Sequence, residues 1–417
     1  DVSDADAVIG ILSLSAGDDI SSVALSYGGG AVAVAAASGV FVWARKASSV
    51  DGSMSDFSGP HRLAMPQPTP VNSVALASNG TYIIGCECWS SDDAEVTRNP
   101  VLVVWSRGGD AHFAAAAQVL KLSFVPVALA ASGTQPSVAV GSAEGMVQLW
   151  TRQGGNWDCH DLHDADGGIC SLNFSTSGRY LIAGTTESLA LVWDTSRDRC
   201  PHVTSIAAPE RRLSAVAFGT HLRHVYVGIS TGSVLAVPFD STAVATASAT
   251  NAGHASAVTS VCFGCGEESS ESTQSASWLA SCGSDQTVRL WSTVFTQTHL
   301  WQTRGKCHGV AASPRGLFAG GRWVQLLACS TSAGLHMWGM NATGWTPLVV
   351  SSVGVAPVAR TPVAAAASSE LSVTGVAFSN DCKWLAAHSA STVFVWRLDV
   401  PVVGSERGLG EAELASG

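Results

Sequence analysis

The chain has 417 residues, of which 46% are hydrophobic and 13% are charged, a composition typical of a folded protein and not of a disordered one. Its formal net charge of −10 argues against direct nucleic-acid binding, because such binding usually depends on a basic stripe that neutralises phosphates. The sequence contains no run of about 20 strongly apolar residues, so we expect no membrane span.

The predicted elements begin with an apolar run at residues 7–14, and eight similar units follow it. Each unit ends in a short apolar strand whose last residue is large. These last residues are, in chain order, Trp43, Trp105, Trp150, Trp193, Val237, Trp291, Trp338 and Trp396. A repeat of roughly 40–45 residues that ends in this way predicts a propeller of four-stranded blades, and longer spacings indicate inserted loops.

Two further strands precede the terminal strand of each unit. The innermost strands are expected at 20–25, 71–76, 125–129, 169–174, 213–218, 258–263, 307–312 and 373–378. The second strands are expected at 31–35, 82–86, 137–141, 180–184, 225–228, 278–282, 326–329 and 384–387. Small residues are frequent in the first set, as expected for strands crowded around a central channel.

The number of strands predicts how the ring closes. The last unit has no outer strand of its own after Trp396, and residues 7–14 are available to supply it. We therefore predict an all-β fold in which residues 1–400 form one closed eight-bladed propeller and residues 401–417 form a flexible tail. The alternative is seven blades with one degenerate repeat packed outside. Closure removes the exposed sheet edges that favour aggregation.

The sixth repeat is the most regular. It begins Gly253-His254 and continues through Ser281 and Asp285 to Trp291. In this pattern the chain resembles the WD-repeat family over nearly its whole length. The resemblance implies that His254, Ser281, Asp285 and Trp291 form a structural hydrogen-bond network that braces the blade. Other repeats depart from the pattern, and the fifth has Val237-Pro238 in place of Trp-Asp.

An enzymatic interpretation of the same residues is not favoured. Ser281 lies inside a predicted strand, and the Gly-x-Ser-x-Gly turn of a hydrolase nucleophile is missing around it. The repeated tryptophan-docking motif of eight-bladed quinone-dependent oxidases is also missing. We predict a protein that is not an enzyme, with no catalytic residue and no cofactor.

The cysteines do not predict a metal site. Cys262 and Cys265 have the spacing of half a zinc site, but no second pair with that spacing lies near them. Cys159-His160 with His163 is a weaker combination. The chain has 11 cysteines, many of them within apolar strands, a pattern that suits a reducing compartment better than a disulfide framework. We therefore expect an intracellular protein, cytoplasmic or nuclear.

The predicted function is that of a non-catalytic scaffold or adaptor whose partners are the other proteins of a larger assembly. Trp89, Trp323 and Trp345 fall outside the predicted strands and are candidate contact residues, since exposed tryptophan is enriched at interface hot spots. One alternative is a substrate receptor of a ubiquitin ligase. Some WD-repeat receptors carry Trp-Asp-x-Arg, but in residues 193–197 the arginine comes one position late. A peptide-binding reader is the other alternative.

Overall fold

A computed structural model describes most of the chain. The described residues are 9–13, 18–26, 30–45, 57–65, 71–87, 100–107, 118–162, 167–197, 199–207, 212–219, 224–239, 248–249, 253–264, 278–292, 297–313, 317–319, 322–341, 344–351, 354–357, 372–379, 384–390 and 392–398. They contain 34 β-strands in eight antiparallel sheets. None of them forms a helix, so this part of the chain contains no helix that could cross a membrane.

Each sheet is one blade, and the blades are numbered 1 to 8 in chain order. The innermost strands are β2 (Ile20–Leu25), β6 (Val71–Ala77), β10 (Pro126–Ala131), β14 (Ile169–Phe174), β18 (Leu213–Phe218), β22 (Val258–Gly264), β26 (Cys307–Ala312) and β32 (Gly375–Phe378). The second strands are β3 (Ala31–Ala36), β7 (Tyr82–Glu87), β11 (Ser137–Ser142), β15 (Tyr180–Thr185), β19 (His224–Ile229), β23 (Trp278–Gly283), β28 (Arg322–Thr331) and β33 (Trp384–His388). These positions confirm the strands predicted from the repeats.

The third and outer strands complete the blades. The third strands are β4 (Gly39–Arg45), β8 (Val101–Ser106), β12 (Val147–Gln153), β16 (Leu189–Asp194), β20 (Val234–Pro238), β24 (Thr287–Ser292), β29 (Gly334–Asn341) and β34 (Thr392–Arg397). The outer strands are β5 (Phe57–Arg62), β9 (Gln118–Lys121), β13 (Asn156–Leu162), β17 (His202–Ala207), β21 (Ser248–Ala249), β25 (Gln297–Gln302), β30 (Gly344–Ser351) and β1 (Ile9–Ser13).

The ring closes through the N-terminal strand. β1 pairs antiparallel with β34, with Ile9 opposite Trp396 and Ser13 opposite Thr392. The innermost strands contact one another in chain order, and β32 contacts β2. The predicted eight-bladed ring and its closure by the N-terminal segment are therefore confirmed. Closure gives the third strand of the last blade a partner on both sides and leaves it no free edge.

Blade 7 is larger than the repeat pattern predicts. β28 is ten residues long, and its first residues pair with an added short strand, β27 (Leu317–Ala319). A second added strand, β31 (Gly354–Pro357), pairs with β30 on the outer edge. This sheet therefore has six strands where four are predicted. The two additions come from the stretched segment around 316–323 and from the inserted segment that follows β30.

The hydrophobic core lies between the blades. Each cluster joins second and third strands of one blade to strands of the next, and Trp105, Trp193 and Trp291 are among its largest fully buried side chains. The second strand of blade 1, Ala31–Ala36, is completely buried. Because the apolar surfaces face neighbouring blades, the loop ends of the ring remain available for other contacts.

The ring has two faces that differ in the loops they carry. The lower face is the side of the ring that carries two kinds of loop. One kind joins each innermost strand to the second strand, and the other joins each third strand to the outer strand. In blades 3 and 4 this face carries residues 132–136, 154–155, 175–179, 195–197 and 199–201. The upper face is the opposite side. The predicted tail 401–417 and the candidate contact residue Trp89 lie outside the described residues.

Candidate functional site

The four residues predicted to form a network in the sixth repeat lie together in blade 6. His254 precedes β22, Ser281 is in β23, Asp285 is in the turn after β23, and Trp291 is in β24. His254 Nε2 lies 2.8 Å from Ser281 Oγ, and Trp291 Nε1 donates to the same hydroxyl oxygen at 2.9 Å. The other ring nitrogen, His254 Nδ1, lies 2.9 Å from Asp285 Oδ1. The contacts form one continuous chain from the indole to the carboxylate.

The donors and acceptors of this chain have one consistent arrangement. A carboxylate only accepts hydrogen bonds, so His254 Nδ1 carries the proton and donates to Asp285. In a neutral ring Nε2 then accepts, and the hydroxyl of Ser281 donates to it. That hydroxyl oxygen is left to accept from Trp291, so each polar atom in the chain has a partner. A buried network that is fully satisfied in this way rigidifies its surroundings.

The protonation states agree with that arrangement. Burial lowers the pKa of His254 from 6.5, although Asp285 opposes the change by hydrogen bonding and charge. Burial alone opposes ionisation of Asp285, but hydrogen bonds from His254 and from the backbone N–H of Ala255 hold its pKa below its ordinary value. The pair is therefore a neutral imidazole beside a carboxylate.

Sequence reasoning missed one member of the network. Thr287 donates its hydroxyl to Asp285 Oδ1 at 2.8 Å, and its Oγ1 lies 3.0 Å from His254 Nδ1. The backbone N–H of Thr287 also donates to Asp285 at 3.2 Å. The signal for this residue is its position, two residues after the turn aspartate and at the start of the third strand.

Other blades lack the serine, as the strand registers show. In blade 6, Ser281 lies two residues beyond Leu279, the residue paired with Trp291. The equivalent positions hold Val140 in blade 3 and Ala387 in blade 8. The indole nitrogens of the tryptophans in those two blades are buried and have no hydrogen-bond partner among the described residues. Compared with blades 3 and 8, blade 6 therefore has the more complete polar framework.

The Trp-Asp pair of blade 4 forms a different arrangement. Asp194 is buried and accepts hydrogen bonds from Arg179 Nη2 at 3.0 Å and from the hydroxyl of Ser196 at 2.6 Å. Arg197 Nε lies 3.3 Å from the same carboxylate. The arginine that comes one position late for the ligase-receptor motif is thus in contact with its own turn aspartate.

The structure describes two of the three candidate contact tryptophans, Trp323 and Trp345. Trp345 is half-buried in β30, with its ring centroid 5.0 Å from that of Trp278 and 5.9 Å from that of Trp301. Part of its ring is therefore engaged in packing. Trp323 lies in β28 opposite Phe318 in the added hairpin of blade 7. Their role in binding stays a prediction.

Three cysteines lie close together between blades 6 and 7. Cys282, Cys307 and Cys329 are all fully buried in one cluster. Hydrogen bonding to Cys307, together with burial, raises the pKa of Cys282 to about 12, and the pKa of Cys329 is raised by hydrogen bonds to both other thiols. In the part of the chain that the structure describes, no group of histidine, cysteine or acidic side chains has the arrangement of a metal site.

Three ranges of the chain match the model of a known repeat family. The model of the family described as WD domain, G-beta repeat, matches residues 156–194, 245–292 and 363–397. The second of these ranges contains most of blade 6, including its hydrogen-bond network. The chain therefore contains WD repeats in these three ranges, which confirms the resemblance predicted from the sequence. No curated protein matches its sequence at a significant level.

Solved structures with the same fold cover nearly the whole chain. Sqt1 of Chaetomium thermophilum has a TM-score of 0.65 at 14% identity, over 94% of this chain and 98% of that one. Sqt1 bound to the N-terminus of the ribosomal protein L10 has a TM-score of 0.64 at 14% identity, over 94% and 100%. A chain of the Mitotic Checkpoint Complex has a TM-score of 0.52 at 15% identity, over 93% and 91%. At these identities the likeness shows the fold alone.

Proposed function

We propose that this protein is a non-catalytic scaffold or adaptor subunit that holds other proteins in a larger intracellular assembly. The observation that carries the proposal is the state of the His254, Ser281 and Asp285 group. These residues would supply the base, nucleophile and carboxylate of a hydrolase. Ser281 is completely buried, however, and its hydroxyl is engaged with both His254 and Trp291.

The architecture supports the same proposal. The apolar surfaces of the blades are used within the ring, so the two faces and the rim are left for partners. Function in such scaffolds concentrates on loops that a rigid framework holds in place. Two of the similar structures belong to proteins seen with others, Sqt1 with the N-terminus of L10 and a chain of the Mitotic Checkpoint Complex.

Affinity purification of the tagged full-length chain, followed by mass spectrometry, tests the proposal. We expect a reproducible set of partners at near-stoichiometric amounts, and the same partners on a size-exclusion column at a mass well above that of the 42.8 kDa chain. Trp89→Ala and Trp323→Ala test the candidate contact residues. Trp301→Ala, which removes a packing ring of blade 6, is the control for general loss of folding.

A folded monomer without partners would contradict the scaffold proposal. Stoichiometric recovery of a cullin-type ligase adaptor would instead favour the substrate-receptor alternative. Partners that depend on one short linear segment, and that a synthetic peptide of that segment displaces, would favour the peptide-binding reader.

A further inference from the structure

A polar pocket opens on the lower face where blades 3 and 4 meet. Its volume is about 370 Å³, which is enough for one or two side chains of a bound segment. Gln135 and Arg152 line it from blade 3, and Arg179 and Ser196 line it from blade 4. Its two charged lining residues are both arginines. Their positive charge contrasts with the net charge of −10 of the whole chain.

Arg152 is held in place by aromatic residues. It donates a hydrogen bond to the hydroxyl of Tyr82, and its guanidinium carbon lies 4.8 Å from the centre of that ring. The ring of Tyr82 in turn packs edge-on against Trp157, with centroids 5.6 Å apart. Arg152 has no ion-pair partner among the described residues. A fixed and uncompensated guanidinium loses little freedom when it binds an anion.

Arg179 adds charge that is only partly neutralised. Its Nη2 lies 3.0 Å from Asp194 Oδ2, and Arg197 Nε lies 3.3 Å from the same oxygen. Two guanidinium groups thus share one carboxylate, whose side chain is 4% exposed. The side chain of Arg179 is 47% exposed, so it retains N–H groups toward solvent. Asp158, opposite Thr151 on β13, does not line the pocket.

We infer that this pocket binds an acidic segment of a partner protein, with neighbouring carboxylates of the segment reaching Arg152 and Arg179. The inference rests on the proposed scaffold function and names a site for it. Guanidinium groups bind carboxylates through paired, charge-assisted hydrogen bonds, and complementary charge adds specificity to an interface. A nucleic acid needs a longer basic surface than these two lining arginines provide.

Peptide binding to the full-length protein tests this site directly. The probe is a fluorescein-labelled Glu-Glu-Ser-Glu-Glu peptide, followed by fluorescence anisotropy at low salt. We expect Arg152→Gln to weaken the Kd about tenfold, which corresponds to about 1.4 kcal/mol. Arg304→Gln is the matched control, because it removes the same charge from an exposed loop between β25 and β26 on the upper face. This control is expected to bind the peptide as the wild-type protein does.

A second peptide keeps the test valid if Arg152→Gln fails to fold. Gln-Gln-Ser-Gln-Gln has nearly the same shape without the charges, and the wild-type protein is expected to bind it at least about tenfold more weakly, since charge-assisted hydrogen bonds are about twice as strong as neutral ones. Equal binding of the two peptides overturns the inference. Equal peptide affinity of Arg152→Gln and Arg304→Gln also overturns it, as does tighter binding of a short single-stranded oligonucleotide that depends on Arg152.

The partner purification separates this inference from the proposed function. If Arg152→Gln retains every partner and the wild-type protein does not bind the acidic peptide, the pocket is refuted and the scaffold function stands. If the wild-type protein has no partners at all, the scaffold function itself fails. Loss of particular partners in Arg152→Gln, but not in Arg304→Gln, supports both.

Discussion

The hydroxyl of Ser281 donates to one buried ring and accepts from another, which makes it the central atom of the blade 6 network. Ser281→Ala removes both hydrogen bonds, so that His254 Nε2 and Trp291 Nε1 lose the bonds that the hydroxyl forms with them inside the core. We expect the free energy of unfolding to fall by about 1–3 kcal/mol, because buried polar groups that lose their partner retain their desolvation cost. Urea denaturation followed by tryptophan fluorescence measures the change.

The control for this substitution is Ser284→Ala, in the half-buried turn three residues later. It is expected to shift the denaturation midpoint by much less. Equal midpoints for Ser281→Ala and the wild-type protein would show that the network does not stabilise the blade.

Blade 8 permits the reverse experiment. The indole nitrogen of Trp396 is buried and has no hydrogen-bond partner in the described part of the chain, and Ala387 occupies the position that Ser281 has in blade 6. Ala387→Ser adds a hydroxyl with little increase in volume. We expect a gain of about 0.5–1.5 kcal/mol in the free energy of unfolding, the usual net contribution of a hydrogen bond. Thermal denaturation monitored by circular dichroism checks this expectation.

Ala386→Ser is the matched control for Ala387→Ser. Ala386 is equally buried, but it lies on the opposite side of β33, in the cluster shared with blade 1. A hydroxyl at this position is expected to destabilise the protein. If Ala387→Ser and Ala386→Ser both lower the melting temperature, position 387 of blade 8 is not equivalent to position 281 of blade 6.

At the scale of strands, two buried histidines and one half-buried histidine give the fold a defined pH dependence. Burial lowers the pKa of His254, His336 and His388 below the ordinary value of 6.5. Each ring is neutral in the folded protein and takes up a proton more readily when unfolded. Their contribution to stability is therefore complete above about pH 6.5 and decreases as the pH falls from there toward the folded-state pKa values.

Melting temperatures between pH 7.5 and pH 5 measure this dependence. His388→Gln removes one titrating ring and is expected to reduce the loss of stability on acidification. A pH dependence of His388→Gln parallel to that of the wild-type protein would show that this ring does not contribute.

The pairing of β1 with β34 gives a prediction for a whole element. A chain that lacks residues 1–13 loses the outer strand of blade 8 and leaves β34 with an unpaired edge. We expect a lower melting temperature and concentration-dependent association, because a free edge pairs with other chains. Light scattering after size-exclusion chromatography measures the association. A chain that lacks only residues 1–8 retains β1 and serves as the control. A monomeric protein of normal stability without residues 1–13 would contradict this role of β1.

For the molecule as a whole, the repeated strand pattern was sufficient to predict the ring. Large apolar residues recur at the ends of the third strands, and even the fifth repeat, which ends in Val237, forms a regular blade. The strand pattern missed the two strands added to blade 7, because β27 and β31 have only three and four residues. Strands this short have no apolar period that distinguishes them from loops.

The candidate sites were harder to predict for a different reason. His254, Ser281, Asp285 and Trp291 were visible because one repeat carries them in a familiar order. The pocket of blades 3 and 4 depends on Arg152 and Arg179, which belong to different repeats and share no motif. Only the register of two neighbouring sheets brings these arginines to one opening.

The pairing of Ile9 with Trp396 also constrains how the protein is made. β1 precedes blades 1 to 7 in the chain and cannot pair until β34 has been made after them, so the apolar surfaces that blades 1 and 8 turn towards each other stay uncovered until then. A chain that stops before residue 392 lacks the strand to which β1 binds and exposes both surfaces. Unfinished copies of this protein should therefore be recognised by chaperones and proteases, while finished copies should escape them.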